Sequence, residues 1–221
     1  FAFIEFKQSK VISDDTPGVR GINFKPDGTI MYVTGSRDVA GDTVIQYSLT
    51  TPFDISTATK TSETVLAIDG DNKIDKPHAI EFKPDGKVMY VIHSLSNIES
   101  VEQFDLAIAW DTSSLTYNTR FKVLNGDLQL RGLTFKPDGT RMYIGQTNYG
   151  KVLQYDLATP WDVSSATNLV ESSSYLSQEN NIRNIQFTSD GTIMYLGGNG
   201  GDDINKYTLS TAWDVSTLNH I

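Results

Sequence analysis

Cysteine is absent from this 221-residue chain. That excludes a disulfide framework, a thiol nucleophile, a thiolate zinc site and an iron–sulfur cluster. Histidine is scarce: His78, His93 and His220 are the only three, and no His-x-His or His-Glu-x-x-His pairing is present to hold a metal. Basic residues are also in deficit, with 18 Lys plus Arg against 27 Asp plus Glu, a net charge of −9. Generic nucleic-acid binding is excluded on that ground, because phosphate contacts need a basic face. No run of about 18 apolar residues occurs, so no helix can cross a membrane. No window sustains a 3.6-residue hydrophobic period, so helix is a minor component. No Gly-x-Ser-x-Gly elbow, phosphate-binding loop or dinucleotide fingerprint appears, and no cofactor is implied. The chain begins Phe1-Ala-Phe-Ile, with neither Met nor a basic-then-apolar leader, as expected of a processed chain or an excised segment.

What the chain does contain is repetition. Four segments align: Arg20-Gly-Ile-Asn-Phe-Lys-Pro-Asp-Gly-Thr-Ile-Met-Tyr-Val33, His78-Ala-Ile-Glu-Phe-Lys-Pro-Asp-Gly-Lys-Val-Met-Tyr-Val91, Arg131-Gly-Leu-Thr-Phe-Lys-Pro-Asp-Gly-Thr-Arg-Met-Tyr-Ile144 and Arg183-Asn-Ile-Gln-Phe-Thr-Ser-Asp-Gly-Thr-Ile-Met-Tyr-Leu196. Their turn aspartates, Asp27, Asp85, Asp138 and Asp190, are spaced 58, 53 and 52 residues apart. All four methionines, Met31, Met89, Met142 and Met194, occupy one repeat position. A second motif follows in each unit: Gln46-Tyr-Ser-Leu-Thr-Thr-Pro-Phe-Asp54, Gln103-Phe-Asp-Leu-Ala-Ile-Ala-Trp-Asp111, Gln154-Tyr-Asp-Leu-Ala-Thr-Pro-Trp-Asp162 and Lys206-Tyr-Thr-Leu-Ser-Thr-Ala-Trp-Asp214. All three tryptophans share its aromatic slot, and Phe53 fills the fourth.

Within the first unit, Ile22/Phe24 and Ile30/Tyr32 alternate around Lys25-Pro26-Asp27-Gly28. Pro presets the turn and Gly accepts positive φ, so the pair is a hairpin. Val44–Leu49 reads as a third strand and Glu63–Ile68 as a fourth. A four-stranded unit of about 50 residues in tandem is a β-propeller blade. The expected fold is therefore all-β: one domain over 1–221, with repeats at about 19–72, 77–127, 130–180 and 182–221 plus 1–18. The corner aromatic is expected to pack between blades. In the first three units the next inner-strand Ile or Leu follows that aromatic by 23 to 27 residues, but only eight residues follow Trp213. The N-terminal segment, with Phe1–Phe6 and Lys10–Ile12, is accordingly expected to supply the last blade's outer strand and remove an exposed edge.

The phrase Phe-Lys-Pro-Asp-Gly-x-x-Met-Tyr-Val resembles the repeat of the YVTN and lactonase-like β-propeller superfamily, and is most similar to tandem repeats of bacterial and phage surface or tail proteins. The resemblance implies the propeller fold and an extracellular, cell-surface or virion-associated location. It leaves function open, because such propellers serve as enzymes, adhesins and scaffolds.

Arg20, His78, Arg131 and Arg183 head the inner-strand motif, and three of the chain's six arginines sit at that one slot. Innermost strands surround a propeller's axis, so these residues form a ring at the channel mouth. Guanidinium forks suit carboxylate, phosphate or sulfate. Two readings stand at this slot: a ligand-binding ring, or arginines bridging blades by pairing with acids such as those of the aromatic-Asp motif. The turn aspartates read as backbone-bonding turn residues, and Asp54, Asp111, Asp162 and Asp214 as Asx-type turns toward the Ser or Thr two residues on. Gly197–Asn205 matches a glycine-rich calcium nonapeptide once, but falls where the other units place a hairpin loop. Asp69–Asp75 alternates oxygens like a calcium loop, yet Lys73 occupies a ligand place. His78 and His93 read as a local polar contact on neighbouring strands. The favoured function is a non-enzymatic binding or scaffold module holding an anionic ligand, a glycan or a protein at the channel mouth. The alternatives are a lactonase-like hydrolase with an axial site and a purely structural repeat. Both a monomer and a ring-forming homodimer are compatible with the repeat count.

Overall fold

The structure, a computed structural model, describes residues 8–16, 18–36, 42–68, 72–74, 76–95, 98–123, 129–172, 179–201 and 203–220. Four antiparallel four-stranded sheets follow one another as blades of a β-propeller. Blade 1 comprises β1 (Gly18–Phe24), β2 (Ile30–Ser36), β3 (Thr43–Leu49) and β4 (Ala58–Val65). A small hairpin, β5 (Ala67–Ile68) and β6 (Asn72–Lys73), leads into blade 2: β7 (Pro77–Phe82), β8 (Val88–Leu95), β9 (Ile98–Leu106) and β10 (Leu115–Lys122). Blade 3 holds β11 (Leu130–Phe135), β12 (Arg141–Gln146), β13 (Lys151–Leu157) and β14 (Ala166–Glu171). Blade 4 holds β15 (Ile182–Phe187), β16 (Ile193–Gly198), β17 (Ile204–Leu209) and β18 (Leu218–His220).

Each blade is built around one corner. In the inner hairpin, Asp27 Oδ1 accepts from the Thr29 N–H (3.0 Å), and Asp85, Asp138 and Asp190 do the same two residues on. The following glycines take φ of +71 to +74°, a region open to glycine without steric cost. The corner aromatics Phe53, Trp110, Trp161 and Trp213 are themselves left-handed, at φ +61 to +68°, a conformation that costs a bulky residue energy unless its surroundings hold it. Two contacts hold it. Each aromatic's N–H donates to the hairpin glycine's carbonyl at 2.9–3.0 Å, and each ring lies where a Cβ on that glycine would be, against Gly28, Gly86, Gly139 and Gly191. The next residue, Asp54, Asp111, Asp162 or Asp214, caps a single 3-10 turn by accepting from the Ser N–H two positions on. Both sets of aspartates thus act as turn residues, as expected.

Neighbouring blades join through a repeated seam. Tyr32, Tyr90 and Tyr143 are fully buried, and each Oη donates to the next blade's corner carbonyl, that of Trp110, Trp161 or Trp213, at 2.6–2.7 Å. Their rings lie 4.4–4.6 Å from Phe82, Phe135 and Phe187 of that next blade. Gln46, Gln103 and Gln154 accept with Oε1 from the N–H of Thr112, Val163 and Val215 at 2.9–3.1 Å. Three apolar clusters fill the blade 1–2, 2–3 and 3–4 seams. The expected aromatic between blades takes a more specific form: the ring covers its own blade's hairpin glycine, and its carbonyl links to the preceding blade.

Two expectations are corrected. The first blade's outer strand is Ala58–Val65 rather than Glu63–Ile68, because the 3-10 turn ends at Thr57 and Ala58 pairs at once with Leu49. The last blade's outer strand comes from the C-terminus: Leu218–His220 pairs with β17, Tyr207 opposite His220. The corner and its turn use so few residues that three remain for a short strand. Phe1–Phe6 lies outside the described residues. Lys10–Ile12 is not strand: Asp15 and Thr16 N–H both donate to the Ile12 carbonyl, Ile12 packs on blade 1, and Asp15 Oδ2 accepts from Tyr47 Oη at 2.8 Å.

Removing one seam hydroxyl tests this construction. Tyr90→Phe is expected to lose about 1 kcal/mol of stability, the net worth of a hydrogen bond, whereas Tyr155→Phe, whose hydroxyl meets no corner carbonyl among the described residues, is expected to lose less. Urea unfolding of the two variants checks the contrast, and equal losses would contradict it.

Candidate functional site

The inner strands β1, β7, β11 and β15 line one groove of about 290 Å³. Gly21 permits the close approach of β1 to β7, since a Cβ there would strike the His78 carbonyl. All four residues of the predicted ring border this groove, and they also border an adjoining space of about 280 Å³ with Gly18 and Val19. The common repeat slot is what brings them together.

The four members differ in environment. Arg20 and Arg183 are exposed, and Arg183 Nε donates to Asn181 Oδ1 (3.1 Å). Arg131 is half-buried and donates to Ser94 Oγ (3.1 Å), the Leu130 carbonyl (3.1 Å) and Gln129 Oε1 (3.4 Å). His78 is 4% exposed, and its Nε2 has no hydrogen-bond partner among the described residues. Burial lowers the His78 pKa to about 3, with the charges of Arg131, Arg20, Arg183 and Lys76 adding to the effect. At neutral pH the ring is therefore three guanidiniums around an uncharged imidazole. The aspartates suggested as bridging partners are the 3-10 caps and bond their own turns.

One residue of this groove was passed over in the sequence. Glu81 also lines it. Burial raises its pKa to about 7, against the pull of the Asn23 side chain and the Phe82 N–H. Asn23 Nδ2 donates across the seam to Glu81 Oε2 (3.2 Å) and to the Ile80 carbonyl (3.0 Å). The signal was present: at the repeat position shared by Asn23, Glu81, Thr134 and Gln186, only Glu81 is an acid.

The other candidates resolve locally. His93 sits opposite Pro77 and 3.6 Å from Glu102 on β9, a buried polar contact. Of Gly197–Asn205, the described part connects β16 to β17, and Gly200 N–H donates to Glu179 Oε1 (2.9 Å). Asp69, Asp71 and Asp75 lie outside the described residues. Among the described residues no group of three or more His, Asp or Glu is placed to hold a metal.

Known structures share the fold. A protein of Bacteroides uniformis provisionally assigned as a 6-phosphogluconolactonase superposes with a TM-score of 0.58 at 16% identity, over 91% of this chain and 53% of its own. The periplasmic gluconolactonase of Pseudomonas aeruginosa gives 0.58 at 14% identity, over 92% and 53%. A chain of a nidogen–laminin complex gives 0.54 at 13% identity, over 85% and 59%. This chain thus spans about half the length of the solved propellers it matches. No family model matches it, and no curated protein does. At these identities the likeness is one of fold, and it includes propellers named as lactonases.

Glu81 and His78 give the protein opposed pH dependences. The folded state keeps the Glu81 proton up to about pH 7, while the unfolded chain releases it near 4.5, so this residue's contribution to stability falls as pH rises across that window. His78, depressed in the fold, contributes stability that grows from about pH 3 to 6.5. Glu81→Gln is therefore expected to gain stability relative to the parent between pH 4.5 and 7. Denaturant melts of both proteins at pH 4.5, 6 and 8 measure the difference, and a difference that shrinks with pH would contradict the assignment.

Proposed function

We propose that the groove binds a small molecule carrying a carboxylate or phosphate, and that this propeller is a binding module. One observation carries the reading: His78, buried with an unpartnered Nε2, stands among three guanidiniums from separate blades in a protein of net charge −9. Burying a polar atom without a partner is costly, and a ligand oxygen or hydroxyl at this point would satisfy it. Arg20 and Arg183 offer their forks from exposed positions, the geometry in which charge-assisted pairs with anions form. The repeat phrase supports placing the chain beside the YVTN-type propellers.

Calorimetric titration with inorganic phosphate, citrate and 6-phosphogluconate tests this. Arg183→Ala is expected to weaken binding of at least one of them by about 10- to 100-fold, the worth of a hydrogen bond to a charged group. Lys10→Ala, on a surface away from the groove, is the control. Absence of binding by the parent protein, or equal affinity in Arg183→Ala, would overturn the reading.

A second reading is favoured by Glu81, and by the lactonase names among the structural neighbours: the groove hydrolyses a lactone. Glu81 would take a proton from the water that attacks the lactone carbonyl. The guanidiniums would stabilise the oxyanion, and the ring C–O bond would break as its oxygen regained the proton. Turnover that rises through about pH 7 and is lost in Glu81→Gln, with binding retained, would select this reading. A lactone panel without turnover would discard it.

A further inference from the structure

Glycine is concentrated where β16 ends, at Gly197, Gly198, Gly200 and Gly201. Two of these make room for one acid: a Cβ on Gly198 would strike the Glu179 carboxyl carbon, and one on Gly200 its Oε1. Glu179 is 0% exposed, and a carboxylate taken out of water is costly unless it is hydrogen-bonded. Its Oε1 accepts from the Gly200 N–H (2.9 Å) and from the Asn181 N–H (2.6 Å). Asn181 in turn accepts with its side-chain Oδ1 from Arg183 Nε (3.1 Å). The buried acid is thus joined to a ring guanidinium through one neutral amide residue.

The same arrangement recurs at the neighbouring ring member. Glu99, 7% exposed, accepts from the Gln129 N–H (3.2 Å) and the Leu130 N–H (3.1 Å). This holds Gln129 at φ +47°, and Gln129 Oε1 accepts from Arg131 Nη2 (3.4 Å). Glu99 also accepts from Ser94 Oγ (3.1 Å), the oxygen to which Arg131 Nη1 donates (3.1 Å). A third buried acid, Asp42, accepts from the Lys76 N–H two residues before His78. The acids come from different places. Asp42 and Glu99 stand at the start of the preceding blade's third strand, and Glu179 lies just ahead of β15 itself. What they share is the register, two residues before the ring slot. Before both supported arginines, the residue so held is an amide whose side-chain oxygen meets the guanidinium.

We propose that Glu179 is a positioning residue of the groove: it fixes Asn181, and Asn181 aims the Arg183 guanidinium, leaving Nη1 and Nη2 outside the relay for a ligand oxygen. The ligand, a phosphate or carboxylate, is that of the anion-binding reading, on which this inference rests. Holding the fork through an amide differs physically from holding it with the acid. An acid in direct contact would pair with the guanidinium and compete with the ligand, whereas the amide oxygen orients Nε and leaves the charge in place. Ordering a long, rotamer-rich side chain in advance also removes part of the entropic cost of binding.

Relaxation of the arginine Nε–H groups in isotope-labelled protein reads the positioning with no ligand present. Arg183 Nε is expected to be rigid on the ps–ns timescale in the parent and in Glu179→Gln, which keeps the Oε1 acceptor. It is expected to loosen in Asn181→Ala, which removes the aiming oxygen, and in Glu179→Asp, which withdraws the anchor by one methylene. Arg141 Nε, bound to Asp156 Oδ1 at 3.0 Å, is the internal control and stays rigid throughout. Affinity for inorganic phosphate, read by calorimetry, is expected to fall about 3- to 10-fold in Asn181→Ala, the worth of one side chain no longer ordered in advance. An Arg183 Nε that is mobile in the parent, or equally rigid in Asn181→Ala or Glu179→Asp, would overturn the proposal, as would loosening without loss of affinity. A parent that binds no anion overturns the binding reading instead, and the relaxation contrast then decides the positioning by itself.

Discussion

The contact on which this fold depends is the corner aromatic laid over the hairpin glycine. A bulky residue at positive φ is costly, and four of them recur here. What sustains each is a small closed circuit: the glycine has no Cβ to obstruct the ring, its carbonyl receives the aromatic's N–H, and the aspartate that follows caps the 3-10 turn. The circuit joins the inner hairpin to the third strand's exit and starts the outer strand at once. In blades 2, 3 and 4 it also aims the aromatic carbonyl at the preceding blade, where a buried tyrosine donates to it. Blade geometry and blade spacing therefore come from one local arrangement, repeated.

That spacing creates the groove. With inner strands held side by side, the first residue of each motif is delivered to a common rim. Residues that share a slot nonetheless meet different surroundings. Arg20 and Arg183 reach solvent, Arg131 is tied to Ser94 and Gln129, and His78 is enclosed. Burial and the neighbouring guanidiniums keep His78 uncharged, while burial works the other way on Glu81 and holds its proton to near neutrality. The groove thus combines fixed positive charge with two groups that are neutral or close to titration at physiological pH. That combination suits recognition of an anion, and it suits proton transfer beside one.

Much of this was legible in the residues. The Pro-Asp-Gly hairpins, the Asx turns after each aromatic and the Arg/His slot all follow from local chemistry that a repeat displays four times over. Glu81 was less visible, because its distinction is a contrast with Asn23, Thr134 and Gln186 at one position, and its titration depends on walls contributed by another blade. The closure expected from the N-terminus failed for a countable reason. Eight residues after Trp213 looked too few for a strand, but the tight corner leaves Leu218–His220 free to pair. Asp15 and Ile12 lie against blade 1 instead, where Tyr47 and the blade's apolar cluster receive them.

The sequence by itself determined the blade: its hairpin, its corner, its number and the residue types that head each inner strand. These rest on interactions within a few residues or within one repeat, so a pattern in one dimension suffices. The tertiary structure decided which tyrosines bridge one blade to the next, which ring member loses its charge, and which acid of the inner strands keeps its proton to near neutrality. Burial and electrostatics sum over atoms from distant parts of the chain, so residues at one repeat slot acquire different roles in different surroundings.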